Sequence, residues 1–262
     1  MGKRIATTAL GLPVLFFVLS RGSFLLLIGI VLISLIGLHE FYTGMRKANI
    51  KTLQWVGYLA VFLMFTYYAI EGNDMNFTIL SALVMILLLM TWVLKYPDRN
   101  VGDVICTWFG FSYIPVLLIH IAMIDRLPLQ HAVWLVFVVS WSCDTAAYLT
   151  GMLFGKKKLC PGISPKKTVE GAMGGIAGSM AGCFVFALLL MPDHLWMIAL
   201  MGFFGSIVSQ MGDLSASLIK RKVGLKDFGH LFPGHGGVLD RFDSILFTAP
   251  FVYFYLERLI LG

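Results

Sequence analysis

Charge is scarce in this chain. Of its 262 residues only 13% are Asp, Glu, Lys or Arg, while 58% are hydrophobic and the mean hydropathy is +0.85. A soluble domain carries about 25% charged residues, so a soluble globular fold is excluded and a polytopic, all-α membrane protein is expected. The net charge of +6 is assigned to cytoplasmic loops meeting anionic headgroups, and no nucleic-acid partner is expected. Cysteine is sparse too. Cys106, Cys143, Cys160 and Cys183 form no CxxC pair and no Cys/His cluster, which argues against a zinc site or a disulfide framework. No long polar segment, internal repeat or low-complexity tract appears, so one integral-membrane domain over 1–262 is expected, without a soluble module. The basic start and apolar run of 1–20 lack a small-x-small cleavage site and are read as a retained first helix.

A membrane span needs about 20 predominantly apolar residues. That criterion predicts about nine, near 5–20, 24–43, 54–71, 77–94, 102–123, 129–152, 169–191, 195–218 and 242–261. Residues 1–128 supply N-terminal helices of little chemical content, and 129–262 carry the polar and catalytic positions. With the N-terminus in the cytoplasm and sides alternating, every Lys and Arg except Arg21, Arg126 and Arg258 falls on the cytoplasmic side. So steep a bias supports nine spans with the C-terminus outside. It also places Asp144 and Asp213 within about two turns of the cytoplasmic ends of their helices.

The few charges are not spread evenly. The stretch SQMGDLSASLIKRKVGLKDFGHLFPGHGGVLDRFD (209–243) holds Asp213, Asp240 and Asp243 around Lys220, Arg221, Lys222, Lys226, His235 and Arg241. Acids can hold a divalent cation, and the cation and basic side chains together neutralise phosphate oxygens, so the pattern points to metal-assisted chemistry on a phosphate. Hard oxygen ligands favour Mg2+. Asp240 and Asp243 share a face at a helix start, where capping would account for either one alone. Asp144, within SWSCDTAAYLTG, is a fourth acid. A carboxylate inside a span costs about 2.5–3.5 kcal/mol, so it is expected to meet a metal, a substrate or an ion-pair partner.

The cations have plainer alternatives. Lys220, Arg221 and Lys222 could hold anionic lipid, yet they neighbour PGHGG (233–237), where Gly236 and Gly237 permit close backbone approach to a ligand. His235 is read as a phosphate donor, with a turn residue as the alternative. The 153–168 loop is a second basic patch: Ser164 is predicted to cap a helix that begins at Pro165, placing Lys166 and Lys167 at an anion site. Ordinary positive-inside loading would also put lysines there. His39 and Glu40 are read as packing or headgroup contacts. Gly174, Gly178 and Gly182 recur every four residues and form a ridge for a close helix neighbour, within the chain as the plainer reading, with a homodimer left open.

One family shares these residues. SLIKRKVGLKDFGHLFPGHGGVLDRFD (217–243) resembles the motif of phosphatidate cytidylyltransferases, or CDP-diacylglycerol synthases: Ser, two positions, Lys-Arg, four positions, Lys-Asp, then Pro-x-His-Gly-Gly and Asp-Arg-x-Asp. SCDTAAYLTGMLFGKKKL (142–159), SPKKTVEG (164–171) and QMGDL (210–214) are similar to its other cytoplasmic-side elements, whereas the first 130 residues agree only in hydropathy and in HEFYTG (39–44). The resemblance implies transfer of CMP from CTP to phosphatidic acid, giving CDP-diacylglycerol and pyrophosphate, with Mg2+, at the cytoplasmic face of a bacterial inner membrane. The implied catalytic and metal-binding residues are Asp144, Asp213, Asp240 and Asp243. The implied substrate contacts are Ser164, Lys166, Lys167, Thr168, Ser217, Lys220, Arg221, Lys226, Asp227, His235, Gly236, Gly237 and Arg241. A second, monovalent cation is left open. Two rivals remain from other classes: a secondary cation transporter, which would favour acids nearer mid-membrane, and a CTP-dependent lipid kinase.

The charge partition is directly testable. On a cysteine-free background, an impermeant thiol reagent added to intact cells should label Asn73→Cys and miss Gly224→Cys. The reverse pattern would overturn the predicted topology.

Overall fold

A glycine and a proline set two of the breaks in the helical chain. The structure, a computed structural model, describes residues 2–231 and 236–262, with side chains from residue 11 onward apart from that of residue 12. Helix α1 (Gly2–Arg21) ends at Gly22, whose φ of 55° and closeness to the Asp125 carboxylate leave no room for a Cβ. Asp125 accepts the Ser23 N–H at 2.6 Å and so starts α2 (Ser23–Lys47). Helices α3 (Gln54–Glu71) and α4 (Phe77–Leu94) follow. The predicted span 102–123 is broken into α5 (Val101–Tyr113) and α6 (Pro115–Asp125). Pro115 has no N–H to continue the ladder and sits at the first turn of α6, where none is needed.

The remaining elements are α7 (Ala132–Phe154), a hairpin of β1 (Lys158–Cys160) and β2 (Ser164–Thr168), α8 (Val169–Leu190), α9 (Leu195–Lys222) and α10 (Leu239–Tyr255), the last continued by a wider turn over Leu256–Ile260. The strands are antiparallel, with Lys158 opposite Thr168 and Cys160 opposite Ser164. Among the described residues seven segments are long and apolar enough to cross a membrane, α5 and α6 counting as one; α1 and α10 are not among them. The fold is an all-α polytopic membrane protein.

The hairpin corrects one expectation. Ser164 does not cap a helix and Pro165 does not begin one; both lie in β2, an edge strand that tolerates proline. The cap of α8 is Thr168, whose hydroxyl accepts the Gly171 N–H at 3.1 Å. Glu170 in the first turn takes the backbone N–H groups of Lys156 and Lys157. These bonds hold the loop to α8 in place of the predicted helical start. A second difference lies at the end of α9, which runs one turn beyond the predicted span and puts Lys220, Arg221 and Lys222 on the helix.

The chain divides into two units. The first comprises 1–126 and 222–241. Its core is mainly aliphatic, with tyrosines at the closest helix contacts: Tyr42 lies against Gly57 and Gly110 and donates to the Thr107 carbonyl at 2.8 Å, and Tyr68 donates to that of Ala122 at 2.8 Å. A buried phenol needs such an acceptor. The second unit comprises 127–221 and 242–262. Its closest packing joins α7 to α8, where Gly174 faces Thr150, Gly175 faces Ala147 and Cys143, Gly178 faces Ala146, and Gly182 faces Ser142. The glycine ridge is therefore used within the chain.

Inserting a side chain into this contact should separate the helices. Overpacking costs about 1–3 kcal/mol, so Gly178→Leu should lower the unfolding midpoint in detergent by several degrees. Gly162→Leu, at a hairpin position with nothing within 4 Å of a Cβ, should leave it unchanged. Equal midpoints for both variants would show that the ridge is not a stabilising contact.

Candidate active site

Three carboxylates gather in the second unit, each on a different helix. Asp144 comes from α7, Asp213 from α9 and Asp243 from α10. Polar rungs set the relation of α7 to α10: Ser140 donates to the Thr248 hydroxyl at 3.1 Å, and one turn on Ser244 donates to Asp144 Oδ2 at 3.5 Å. Helix α9 meets α10 through Gly212, where a Cβ would lie 2.9 Å from the Asp243 carbonyl, and meets α8 through Gln210, which donates to the Ala172 carbonyl at 3.2 Å. Small and polar residues of this kind allow close helix contact without an aqueous driving force. The Asp144 and Asp213 carboxylates are near enough to Asp243 to repel it.

Lysines offset that repulsion. Lys167 of β2 forms an ion pair with Asp213 Oδ2, and Lys220 Nζ stands 4.0 Å from Asp243 Oδ2. Asp213, Ser217 and Lys220 recur at i, i+4 and i+7 and so form one stripe of α9; the Ser217 hydroxyl donates to Asp213 Oδ1 at 3.4 Å. Lys167 turns inward while Lys166 beside it stays exposed, as strand alternation requires. Arg221 donates to the Ile163 carbonyl at 3.4 Å and ties the hairpin tip to the end of α9. Asp144 is exposed, Asp213 and Asp243 are half-buried, and Lys220 is buried. The donor set is carboxylate oxygen, which suits a hard divalent cation. Among the described residues no three His, Cys, Asp or Glu side chains reach metal-ligating distance together; the acids are neighbours, now shared with ammonium groups.

Of the other candidate residues, Ser164 and Thr168 lie in the second unit and the rest that are described, apart from those above, lie in the first. Leu225 and Phe228 are buried, Leu225 against Gly44 and Phe228 against Phe41, which leaves Lys226 exposed and Asp227 half-exposed between them. Arg241 is exposed. Asp240 differs from the other acids: it is buried, and its Oδ2 accepts the N–H of Phe228 at 2.8 Å and of Gly237 at 3.0 Å. The Gly237 N–H is thereby engaged, and Gly236, with φ 87°, lies against the same carboxylate. Thr168 is buried with its hydroxyl committed to the α8 cap, and Ser164 is half-buried in β2. His235 lies outside the described residues. Glu40, read from sequence as packing, is buried and accepts the N–H of Val238 at 3.0 Å and of Leu239 at 2.9 Å. A lone acid deep in an apolar helix was the available signal for it.

A family model described as the cytidylyltransferase family matches residues 2–259. The chain is 33% identical to the phosphatidate cytidylyltransferase of Bacillus subtilis (strain 168), covering 98% of this chain and 97% of that one. It is 30% identical to the phosphatidate cytidylyltransferase of a Synechocystis species over the same shares. This chain belongs to the phosphatidate cytidylyltransferase family. It is a nucleotidyltransferase, with the membrane-embedded build already described. The likeness is denser locally: the Brucella suis (biovar 1) phosphatidate cytidylyltransferase is 46% identical over 119 residues, 45% of this chain and 44% of the relative.

The two sets of acids should respond differently to neutralisation. If Asp213 holds the metal as the family resemblance implies, Asp213→Asn should abolish turnover, and because it removes one charge from a cluster of like charges it should leave the unfolding midpoint within a few degrees of the parent. Asp240→Asn weakens the acceptor of two buried N–H groups and should destabilise by about 1–3 kcal/mol as well. Thermal unfolding of both variants checks this; identical midpoints would contradict the distinct placement of Asp240.

Proposed function

We propose that the chain transfers CMP from CTP to phosphatidic acid at the cytoplasmic face of a bacterial inner membrane, releasing pyrophosphate. The observation that carries this reading is the grouping of Asp144, Asp213 and Asp243 with Lys167 and Lys220, in a chain of this family. The enzyme acts as one membrane domain with nine spans, α1 and α10 included, the N-terminus in the cytoplasm and the C-terminus outside.

The reaction is an in-line displacement. An oxygen of the lipid phosphomonoester forms a bond to the α-phosphorus of CTP, the bond from that phosphorus to the bridging oxygen breaks, and pyrophosphate leaves with the electron pair. Both partners are anions, so the chain must offset their repulsion and hold them in line. Asp144, Asp213 and Asp243 are the residues that would hold Mg2+. When bound, the ion supplies charge neutralisation at the attacking and leaving oxygens.

Lys167 and Lys220 neutralise two of these acids in the structure. In the proposed reaction the same ammonium groups turn to phosphate oxygens, so positive charge is available without moving a residue into the site. Ser217 keeps Asp213 oriented. Lys166, exposed beside Lys167, and Lys226, presented by the buried Leu225 and Phe228, meet the triphosphate as it arrives from solution. Arg221 holds the hairpin and is assigned to substrate placement with Arg241 and Asp227. Asp240 and Gly237 are assigned to holding the backbone. Ser164 and Thr168 likewise support the hairpin and the start of α8.

The rival transferring a γ-phosphoryl group predicts a different fate for label. With purified protein, phosphatidic acid and CTP labelled separately at the α and γ positions, α-label should enter the lipid and γ-label should appear in pyrophosphate. Entry of γ-label into lipid would establish a lipid kinase, and entry of neither would contradict nucleotidyl transfer to this lipid.

A further inference from the structure

We infer that Glu40 is a positioning residue for the proposed nucleotidyl transfer, on which this inference rests: its carboxylate, reaching from α2, fixes the start of α10. Both oxygens are engaged. Oε1 accepts the N–H of Val238 at 3.0 Å and Oε2 that of Leu239 at 2.9 Å, nearly two hundred residues away in sequence. These are among the first N–H groups of α10, which have no acceptor within the helix. A local Ser, Thr, Asp or Asn would ordinarily supply one, but the residue before α10 is Val238. A carboxylate at this position is also favoured by the helix dipole.

Glycine placement supports the same role. A Cβ at either Gly229 or Gly237 would collide with the Glu40 carboxylate, so this acid alone requires both positions to stay small. Asp240 takes the next N–H groups, those of Phe228 and Gly237. Two buried carboxylates thus occupy four N–H groups: Glu40 ties Val238 and Leu239 to α2, and Asp240 ties Phe228 and Gly237 to the start of α10. What they hold is not passive scaffold. The first turn of α10 carries Arg241, and Asp243 follows further along the same helix. Glu40 touches neither substrate in this account. It acts through the helix that presents these groups.

A positioning role predicts a split that a purely stabilising role would not give. Misplacement by about 1 Å can cost on the order of a hundredfold in rate. With enzyme concentration normalised to the folded, monodisperse fraction, Glu40→Gln should lower kcat about ten- to a hundredfold, with KM for CTP and for phosphatidic acid within a few-fold of the parent. Glu40→Asp retains both acceptors on a shorter stem and should recover part of kcat. Gly229→Ala, which pushes the carboxylate away without removing it, should reproduce the Glu40→Gln defect. Hydrogen exchange in a peptide covering 236–241 gives a readout independent of activity: it should be slow in the parent and faster in Glu40→Gln. An unchanged kcat in Glu40→Gln and Gly229→Ala, or unchanged exchange, would overturn the inference. A parent enzyme that makes no CDP-diacylglycerol would overturn the functional reading and the kinetic claim together, while slow exchange at 236–241 in that same enzyme would still establish the clasp.

Discussion

Keeping like charges together inside a helical membrane unit is the constraint from which the rest of the second unit follows. Asp144 and Asp213 each repel Asp243, and a carboxylate left without a partner in a low-dielectric setting costs several kcal/mol. The chain meets this with Lys167 and Lys220, each set against one acid. Such an arrangement is neutralised but not inert. An ammonium group paired with a carboxylate can exchange partners when a cation and a phosphate arrive, with little change in local net charge.

The surrounding architecture serves this balance. Strand β2 exists to turn Lys167 toward Asp213, and its pairing with β1 and the Arg221 contact to Ile163 give the strand a defined place. The glycine face of α8 brings α7 close, and the Ser140–Thr248 and Ser244–Asp144 rungs set α10 beside it. In the first unit the corresponding device is the pair Glu40 and Asp240, which satisfies buried backbone N–H groups that would otherwise each cost about 1–3 kcal/mol.

Much of this was legible in the sequence, and the reasons are local. Low charge and long apolar runs identified the membrane class, and the crowding of Asp213, Asp240 and Asp243 with several cations in 209–243 pointed to the site, although Lys220 was expected in a loop and lies on α9. The motif at 217–243 identified the family. The reading failed where tertiary pairing overrode local preference. Ser164-Pro165 carries a good helix-start signal, but backbone pairing with 158–160 made it strand, while the equally readable Thr168 with Glu170 at the second helical position supplied the true start. Asp240 and Asp243 look equivalent on a helical wheel, yet Asp240 takes N–H groups of the preceding loop while Asp243 takes only that of its neighbour Ser244 and faces Lys220. No sequence pattern ties Glu40 to Val238 and Leu239, because the contact crosses nearly the whole chain.

The central claim is that Asp144, Asp213 and Asp243 form one cation site. Its most direct test is Mn2+ binding to the purified protein, read by the loss of free-ion EPR signal, for the parent and for Asp144→Asn, Asp213→Asn, Asp243→Asn and Asp240→Asn. Each of the first three substitutions is expected to weaken binding at least tenfold, whereas Asp240→Asn, in protein that remains folded, should bind as the parent does. Parent-like binding in all of the first three would contradict the account.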